Sequence, residues 1–270
     1  MRPTRLLAAV PLAAALFASA AMAADGYTIG VSNTVQGNGW REQMICAIKA
    51  QALASGKVAS LNIAHRNTDA AGQLEDIRNL ISAGVDAIVV NPADPAGIKD
   101  ALAEFPDIKV AHEVFTGWQQ DQGKQQILDF TATGIPFDGI WTSGIDNVIV
   151  DALVESQATL VPVVGADNAG FVGQLLKVEG LKGAAVTNPG SIGGAGVTLA
   201  LQILDGQKPA GQTVLVQPEL WENVTPEGRA KLEAAADPSL SPEWPVSIFI
   251  PDWTTYTKEQ IVACKGPGES

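Results

Sequence analysis

The sequence predicts an α/β protein with doubly wound parallel sheets, and three observations lead to that prediction. Short β-branched runs alternate with longer helical patterns, each connection is long enough to hold a helix, and several strand-like runs are apolar almost throughout. Strands separated by helices of this length form parallel βαβ units. Strands without polar alternation are expected where helices cover both faces of a sheet.

The strand-like runs are rich in residues that favour extended backbone, and they are predicted in chain order. They cover residues 27–33, 58–65, 86–91, 108–115, 139–143, 161–165, 183–188 and 213–217. Between them, apolar residues recur at helical spacing, which predicts the helices. The helices cover residues 39–54, 70–83, 95–104, 121–133, 146–157, 171–178 and 191–205.

From residue 218 onward the alternation stops, and the chain becomes rich in Pro and Trp. This tail holds Trp221, Trp244 and Trp253, with a short helix predicted at 226–236 and a strand-like run at 246–250. Three indole rings carry too much apolar surface for a solvated linker. We therefore expect the tail to pack across the rest of the molecule.

Residues 1–23 have the layout of a secretory signal peptide. Arg2 and Arg5 precede an apolar run at 6–20, and Ala21-Met22-Ala23 forms a cleavage site of the small-x-small type. The run is shorter than the ~20 apolar residues that a membrane span needs. We therefore predict an exported, periplasmic protein, with an uncleaved membrane anchor as the alternative.

The composition narrows the class of partner. The 270-residue chain has a formal net charge of −12, and a nucleic-acid-binding surface needs clustered positive charge. The net negative charge therefore excludes nucleic acid as a partner. An acidic surface is otherwise explained by the solubility of the protein.

The chain has two cysteines, Cys46 and Cys264, far apart in sequence. In an oxidising compartment such a pair is a disulfide candidate. A bond between them would close a long loop and stabilise the fold by ~4–5 kcal/mol in the chain-entropy model. The alternative is that Cys46 is a buried apolar residue and Cys264 is free.

Polar side chains follow most of the predicted strands, where a doubly wound sheet binds its ligands. Asn and Asp also favour turns because they bond to nearby backbone, so each one alone is also explained as a turn residue. As a set, they match a polyhydroxylated neutral ligand, whose hydroxyl groups need paired donors and acceptors while an aromatic ring covers its C–H face. The strand exits carry Ser32, Asn33, Asn67, Asn91, Trp118, Ser143, Asp167, Asn168 and Asn188.

The sequence contains no HExxH, CxxC or GxSxG motif and no P-loop lysine. Its two histidines, His65 and His112, lie far apart in the chain. The glycine run at 190–196 (GSIGGAG) lacks the spacing of a dinucleotide-binding loop, and we predict that it permits close helix packing instead. We therefore predict a protein without catalysis, metal or cofactor.

Three stretches of the sequence carry a resemblance to a known family. Residues 30–33 (GVSN) followed by 37–41 (GNGWR) resemble the first strand and helix opening of periplasmic sugar-binding proteins of ABC importers, of the ribose-binding-protein-like class. Residues 81–92 (ISAGVDAIVVNP) are similar to the third strand of that class, and 163–167 (VVGAD) to its strand-end Asp. The resemblance spans nearly all of the chain after the signal peptide.

The resemblance implies the type I periplasmic binding protein fold, in which two α/β lobes joined by a hinge close on one small sugar. It assigns residues 24–104 and 189–222 to the N-terminal lobe, 105–188 to the C-terminal lobe and 223–270 to the tail. After the helix at 95–104 the family expects a further strand and a crossing between lobes, which this chain lacks. We therefore expect an internal deletion near residue 104 that leaves one lobe incomplete and a strand edge unpaired.

The same resemblance implies which residues contact the sugar. Trp40 and Trp118 would sandwich the sugar ring, with packing in the core as the alternative for each. Arg41 and Asp167 would form charge-assisted hydrogen bonds worth ~1.5–3 kcal/mol each. The complete predicted site is Asn33, Asn38, Trp40, Arg41, Asn91, Trp118, Asp146, Asp167 and Asn188.

The resemblance finally implies a function and its partners. The expected protein is a monomeric receptor that captures a monosaccharide or sugar alcohol for an inner-membrane ABC permease. Two alternatives from other classes stay open, namely a secreted α/β enzyme that acts on a sugar and a sensor subunit that presents a sugar to a membrane receptor. The sequence does not distinguish one sugar from another, because epimers differ by a single hydroxyl group.

Overall fold

A computed structural model describes residues 26–91, 111–209, 211, 213 and 215–270. The strands are β1 (Tyr27–Thr34), β2 (Val58–Arg66), β3 (Ala87–Asn91), β4 (Ile140–Trp141), β5 (Val163–Ala166), β6 (Gly183–Val186) and β7 (Leu220–Glu222). The helices are α1 (Gly39–Ser55), α2 (Ala70–Ser82), α3 (Gln120–Ala132), α4 (Asp146–Glu155), α5 (Ala169–Lys177), α6 (Ile192–Leu204), α7 (Pro226–Ala235) and α8 (Lys258–Ala263). The predicted α/β fold with parallel sheets is confirmed.

The first sheet has the strand order β2-β1-β3, and all of its strands run parallel. Ile29 and Val31 of the central strand are completely buried. Helices α1 and α6 cover this face, and Ile48 and Val197 pack against the strand residues in one cluster. This unit is the first lobe.

The glycine run at the start of α6 brings that helix close to α1. A Cβ atom on Gly193 would lie 2.6 Å from Met44 Cγ and 2.7 Å from the Met44 carbonyl oxygen. No side chain fits at these distances, so the two helices approach as closely as they do because this residue is glycine. The prediction that this run permits close helix packing is confirmed.

The second sheet has the order β4-β5-β6-β7, with β7 antiparallel to β6. Helices α4, α5 and α7 cover one face, and Leu153, Phe171 and Leu232 are completely buried there. This unit is the second lobe. Because Trp221 of β7 pairs with Ala185, residues 220–222 belong to this sheet, whereas the sequence assigned them to the N-terminal lobe.

Three predicted strands do not form among the described residues, and one of them is the run at 246–250, where only the preceding Pro245 forms a β-bridge. In the run at 213–217 the side chain of Leu215 is 86% exposed, and the chain first pairs at Leu220, two residues after Pro218. Residues 111–115 are irregular as well. The remainder of that predicted strand, the helix at 95–104, the signal peptide at 1–23 and the expected deletion near residue 104 lie outside the described residues.

The tail contacts both lobes. Gln43 of α1 donates a hydrogen bond from Nε2 to the Pro245 carbonyl oxygen at 2.7 Å, and Pro245 also forms a β-bridge with Asn168 of the second lobe. A disulfide joins Cys46 of α1 to Cys264 at the end of α8. The tail segment at 242–247 thus runs between the lobes, and the disulfide fixes its far end to the first lobe.

Candidate functional site

A group of polar side chains lies at the carboxyl ends of the first-lobe strands, where the sequence predicted ligand contacts. We call it the Asn33 cluster, and it consists of Asn33, Arg41, Glu42, His65 and Asn91. Asn33 is the last residue but one of β1, and it is 2% exposed. Its Oδ1 atom accepts hydrogen bonds from Arg41 Nη1 at 2.9 Å and from Asn91 Nδ2 at 3.0 Å.

Arg41 is placed by the first turn of α1. The helix begins there because the Asn38 side-chain oxygen caps it, accepting a hydrogen bond from the Arg41 backbone N–H at 3.2 Å. Besides Asn33, Nη1 donates to the Thr34 carbonyl oxygen at 2.9 Å. Burial lowers the pKa of the guanidinium group. No carboxylate of the described residues forms an ion pair with Arg41, so its remaining N–H groups are available to a ligand.

Three residues of this region were missed by sequence reasoning. His65 bridges Asn33 and Glu42, and Gln73 of α2 donates from Nε2 to the Asn91 carbonyl oxygen at 2.8 Å. His65 was considered in the sequence only as a possible catalytic or metal-binding residue, although it lies one residue before the end of its strand, as Asn33 does. The strand-exit rule overlooked Gln73 and Glu42 because both lie on helices, where helical spacing alone does not distinguish a site residue from a solvated one.

Hydrogen bonds join the two lobes close to the Asn33 cluster. Asn38 donates from Nδ2 to the Trp118 carbonyl oxygen at 3.2 Å, and Trp40 donates from its indole Nε1 to the Asn188 carbonyl oxygen at 2.7 Å. Trp118 has φ of +58°, an uncommon backbone conformation for a large residue, and its ring lies beside Gly144. Both tryptophans therefore lie where the lobes meet, while the ring sandwich stays a prediction.

Asp146 does not present its carboxylate at the surface between the lobes. The residue is completely buried, and Oδ2 accepts hydrogen bonds from Gly144 N at 3.0 Å and Asn168 Nδ2 at 2.6 Å. A Cβ atom on Gly165 would lie 2.1 Å from Oδ1, so the carboxylate fits only because that residue is glycine. Burial raises the pKa of Asp146 to about 7, and the nearby charge of Asp167 adds to the increase.

Asp167 is completely buried as well, and it holds the tail. Its Oδ1 accepts a hydrogen bond from Asn188 N at 2.8 Å, and Oδ2 accepts from Ser247 N at 3.0 Å and from the Ser247 hydroxyl group. Burial raises the pKa of this carboxyl group, and the same hydrogen bonds oppose that increase. Asp146 and Asp167 are thus both bonded to protein groups, and their contact with a ligand stays a prediction.

A concavity of about 390 Å³ lies where the first-lobe loop, the start of α3 and the tail meet. It is lined by Gly37, residues 119–122 and Glu243, next in sequence to Asn38 and Trp118. A larger concavity of about 460 Å³ lies on the second lobe around residues 175–182 and Arg229, and it contains none of the predicted site residues. The smaller concavity also contains none of the predicted site residues, although it is lined by the sequence neighbours of Asn38 and Trp118.

The described part of the chain holds no cluster of three or more His, Cys, Asp or Glu side chains arranged for a metal ion. Its helices are also all too short or too polar to cross a membrane. The site is therefore best described by its amides, its guanidinium group and its two indole rings.

Comparison with known families gives the class of this protein. The sequence profile of the periplasmic binding protein domain matches residues 29–104 and 96–208. These matches cover more than half of the chain, and the chain belongs to the periplasmic binding protein family. The two matched segments overlap at residues 96–104.

The chain is similar to proteins that bind small solutes. It is 27% identical over 130 residues to the xylitol-binding protein of Mycolicibacterium smegmatis. The aligned residues make up 47% of this chain and 37% of that relative. The match thus spans little more than a third of the relative.

Two solved structures share the fold. An ABC transporter solute binding protein from Thermobispora bispora has a TM-score of 0.68 at 16% identity, covering 88% of this chain and 94% of that chain. The fructose binding periplasmic domain of a hybrid two-component system has a TM-score of 0.63 at 15% identity, covering 77% and 94% respectively.

Proposed function

We propose that this protein is an exported receptor that binds a monosaccharide or sugar alcohol and delivers it to an ABC permease of the inner membrane. The observation that carries the proposal is Arg41, a cation that pairs with no carboxylate in the described part of the chain and is held by Asn33 at the strand ends where the lobes meet. Its free N–H groups, with the amide of Asn91, provide the donors and acceptors that a polyhydroxylated ligand needs.

The comparisons support a polyol or sugar as the ligand. The curated relative is a xylitol-binding protein, and both similar structures are of solute-binding or sugar-binding proteins. Amides and an arginine recognise hydroxyl groups by directed hydrogen bonds, and indole rings cover the C–H faces of a sugar. We propose direct contacts from Asn38, Trp40, Arg41, Asn91, Trp118 and Asn188, with Asn33 supporting them.

Closure of the lobes is the proposed mechanism. A ligand that contacts both lobes binds the closed arrangement more tightly than the open one, and it shifts the population by that difference in affinity. The bonds from Asn38 to Trp118 and from Trp40 to Asn188 join the same two surfaces. The signal peptide predicted at 1–23 supports a periplasmic location, and in the proposed mechanism no bond of the ligand is made or broken.

Calorimetric titration tests this proposal. The processed protein is titrated with xylitol, glycerol, pentoses, hexoses and their polyols, and we expect saturable heat from one or more of them. Arg41→Ala should weaken that binding at least tenfold, because a hydrogen bond to a charged group contributes about 1.5–3 kcal/mol. Arg78→Ala, on the exposed side of α2, is the matched control and should leave the affinity unchanged.

Absence of heat with every ligand, from a protein that melts cooperatively, would contradict the proposal. Recovery of a chemically altered ligand after incubation would instead support the enzyme alternative. The sensor alternative has a specific observation in its favour, because the similar fructose binding domain belongs to a two-component system. Reconstitution with a permease separates the two roles, since only a transport receptor stimulates ligand uptake into vesicles.

A further inference from the structure

His65 lies near the end of β2, and only 11% of its side chain is exposed. One ring nitrogen, Nδ1, lies 3.0 Å from Asn33 Nδ2, and the other, Nε2, lies 2.9 Å from Glu42 Oε1. The same Glu42 oxygen accepts a hydrogen bond from Gly37 N at 3.0 Å. The imidazole ring therefore joins the end of β1 to the first turn of α1.

Arg41 sets the direction of the hydrogen bonds in this network, because a guanidinium group only donates. The Asn33 amide must turn its oxygen toward Arg41 Nη1, and its NH₂ group then faces His65. An NH₂ group also only donates, so His65 Nδ1 accepts and carries no proton. The ring proton therefore lies on Nε2, from which it is donated to the Glu42 carboxylate.

We propose that His65, held as the neutral tautomer with its proton on Nε2, is the positioning residue of the ligand site. Through Asn33 it fixes the guanidinium group of Arg41 and the side-chain amide of Asn91 in the orientation that the ligand meets. This inference rests on the proposed function, because Arg41 and Asn91 are the groups offered to the ligand.

The proposed role follows from what a change at His65 would do to Asn33. Asn33 is 2% exposed, so water does not replace a lost partner of its NH₂ group. A buried donor without a partner is costly, and the amide would rotate toward another acceptor. Rotation withdraws the oxygen that holds both Arg41 Nη1 and Asn91 Nδ2. One ring nitrogen thus controls the orientation of two ligand-binding groups.

A matched pair of variants isolates that ring nitrogen. His65→Asn places a side-chain oxygen as many bonds from Cβ as Nδ1, so it keeps the acceptor that faces Asn33 and loses the bond to Glu42. His65→Leu keeps a side chain of similar reach and offers no acceptor. His112→Asn, at the exposed histidine of the second lobe, is the control and removes an imidazole remote from the Asn33 cluster.

Nitrogen NMR of the ligand-free protein gives the first readout. With 15N-labelled histidine and only two histidines in the chain, His112→Asn assigns the His65 signals. We expect Nε2 protonated and Nδ1 unprotonated. The NH₂ signals of the Asn33 side chain should stay slow to exchange with water in His65→Asn and should become fast in His65→Leu. A protonated Nδ1, or rapid averaging of both tautomers in the folded protein, would overturn the inference.

Affinity for xylitol, or for the panel member that binds the unaltered protein, gives the second readout. We expect His65→Asn to bind within about threefold of the unaltered protein and His65→Leu at least tenfold more weakly, both with cooperative melting. Equal affinity of the two variants would overturn the positioning role. If the unaltered protein binds no member of the panel, the proposed function fails, and the NMR readout alone then decides the inference on His65.

Discussion

The carboxyl group of Asp146 is buried in the folded protein, and its burial makes the stability depend on pH. Burial raises its pKa from 3.8 to about 7. Between these values the folded protein binds the proton more tightly than the unfolded chain does. The free energy of unfolding therefore falls as the pH rises from about 4 to about 7, by up to a few kcal/mol, and it levels off above that range.

Asp146→Asn should remove this pH dependence. The asparagine keeps an oxygen that accepts from Gly144 and Asn168 but carries no charge, so we expect a higher melting temperature than that of the unaltered protein at pH 8 and little difference near pH 4. Thermal melting followed from pH 4 to pH 8 measures the effect. Asp138→Asn, which removes an exposed carboxylate from the same lobe, is the control and should keep the slope of the unaltered protein. Parallel curves for Asp146→Asn and the unaltered protein would contradict the account.

The site residues also show which features of a site can be predicted from sequence and which cannot. Asn33, Arg41 and Asn91 were predicted from strand ends and a resemblance, and the structure brings them together. Asp146 was predicted from the resemblance and Asp167 from its strand end and the resemblance, yet the fold buries both against protein donors. A sequence places a carboxylate at the end of a strand, but which way it turns depends on neighbours that are remote in sequence, such as Ser247.

At the scale of elements, the disulfide between Cys46 and Cys264 connects the last helix to α1 across a sequence separation of 218 residues. Closing so long a loop removes conformational freedom from the unfolded chain, and loss of a native disulfide costs about 2–5 kcal/mol. We expect Cys46→Ser with Cys264→Ser to melt well below the unaltered protein. Denaturant unfolding with and without reductant measures this.

Treating both the unaltered protein and the double variant with reductant is the control. The reductant should lower the stability of the unaltered protein to that of the double variant, and it should leave the double variant unchanged. If the double variant unfolds at the same denaturant concentration as the oxidised protein, the disulfide does not contribute to the stability of the tail.

Seven of the eight described helices were predicted within two residues of their bounds because their starts depend on local side chains, whereas α8 was not predicted. Asn38, Asp69 and Asn168 each cap a helix by accepting a backbone hydrogen bond three residues on. Strands were predicted less well because they depend on partners. Leu220–Glu222 is a strand only because it pairs with β6, and the sequence around it, with Pro218, favoured a strand before the proline instead.

For the whole molecule, two observations agree with the predicted loss of chain near residue 104, which stays a prediction. The family matches this chain in two segments, and these overlap at residues 96–104, next to the predicted junction. On one face of the second sheet, three large apolar side chains are also exposed, namely Trp141 at 60%, Val164 at 36% and Leu220 at 56%. Parallel strands are normally covered by helices on both faces, so this exposed face is where a missing element would pack.

The overall architecture was accessible from sequence because alternating strands and helices allow few arrangements. How the lobes meet was not, since the bonds from Asn38 to Trp118 and from Trp40 to Asn188 join residues 80 and 148 positions apart. Whether the two surfaces act as one ligand site is therefore the central question about the molecule.

Indole N–H NMR signals measured during a titration with the panel ligand that binds answer that question most directly. The signals of Trp40 and Trp118, assigned with Trp40→Phe and Trp118→Phe, report on the first and the second lobe. The account predicts that both signals shift and that they saturate at the same ligand concentration. A ligand that saturates while the signal of either tryptophan stays in place would contradict it.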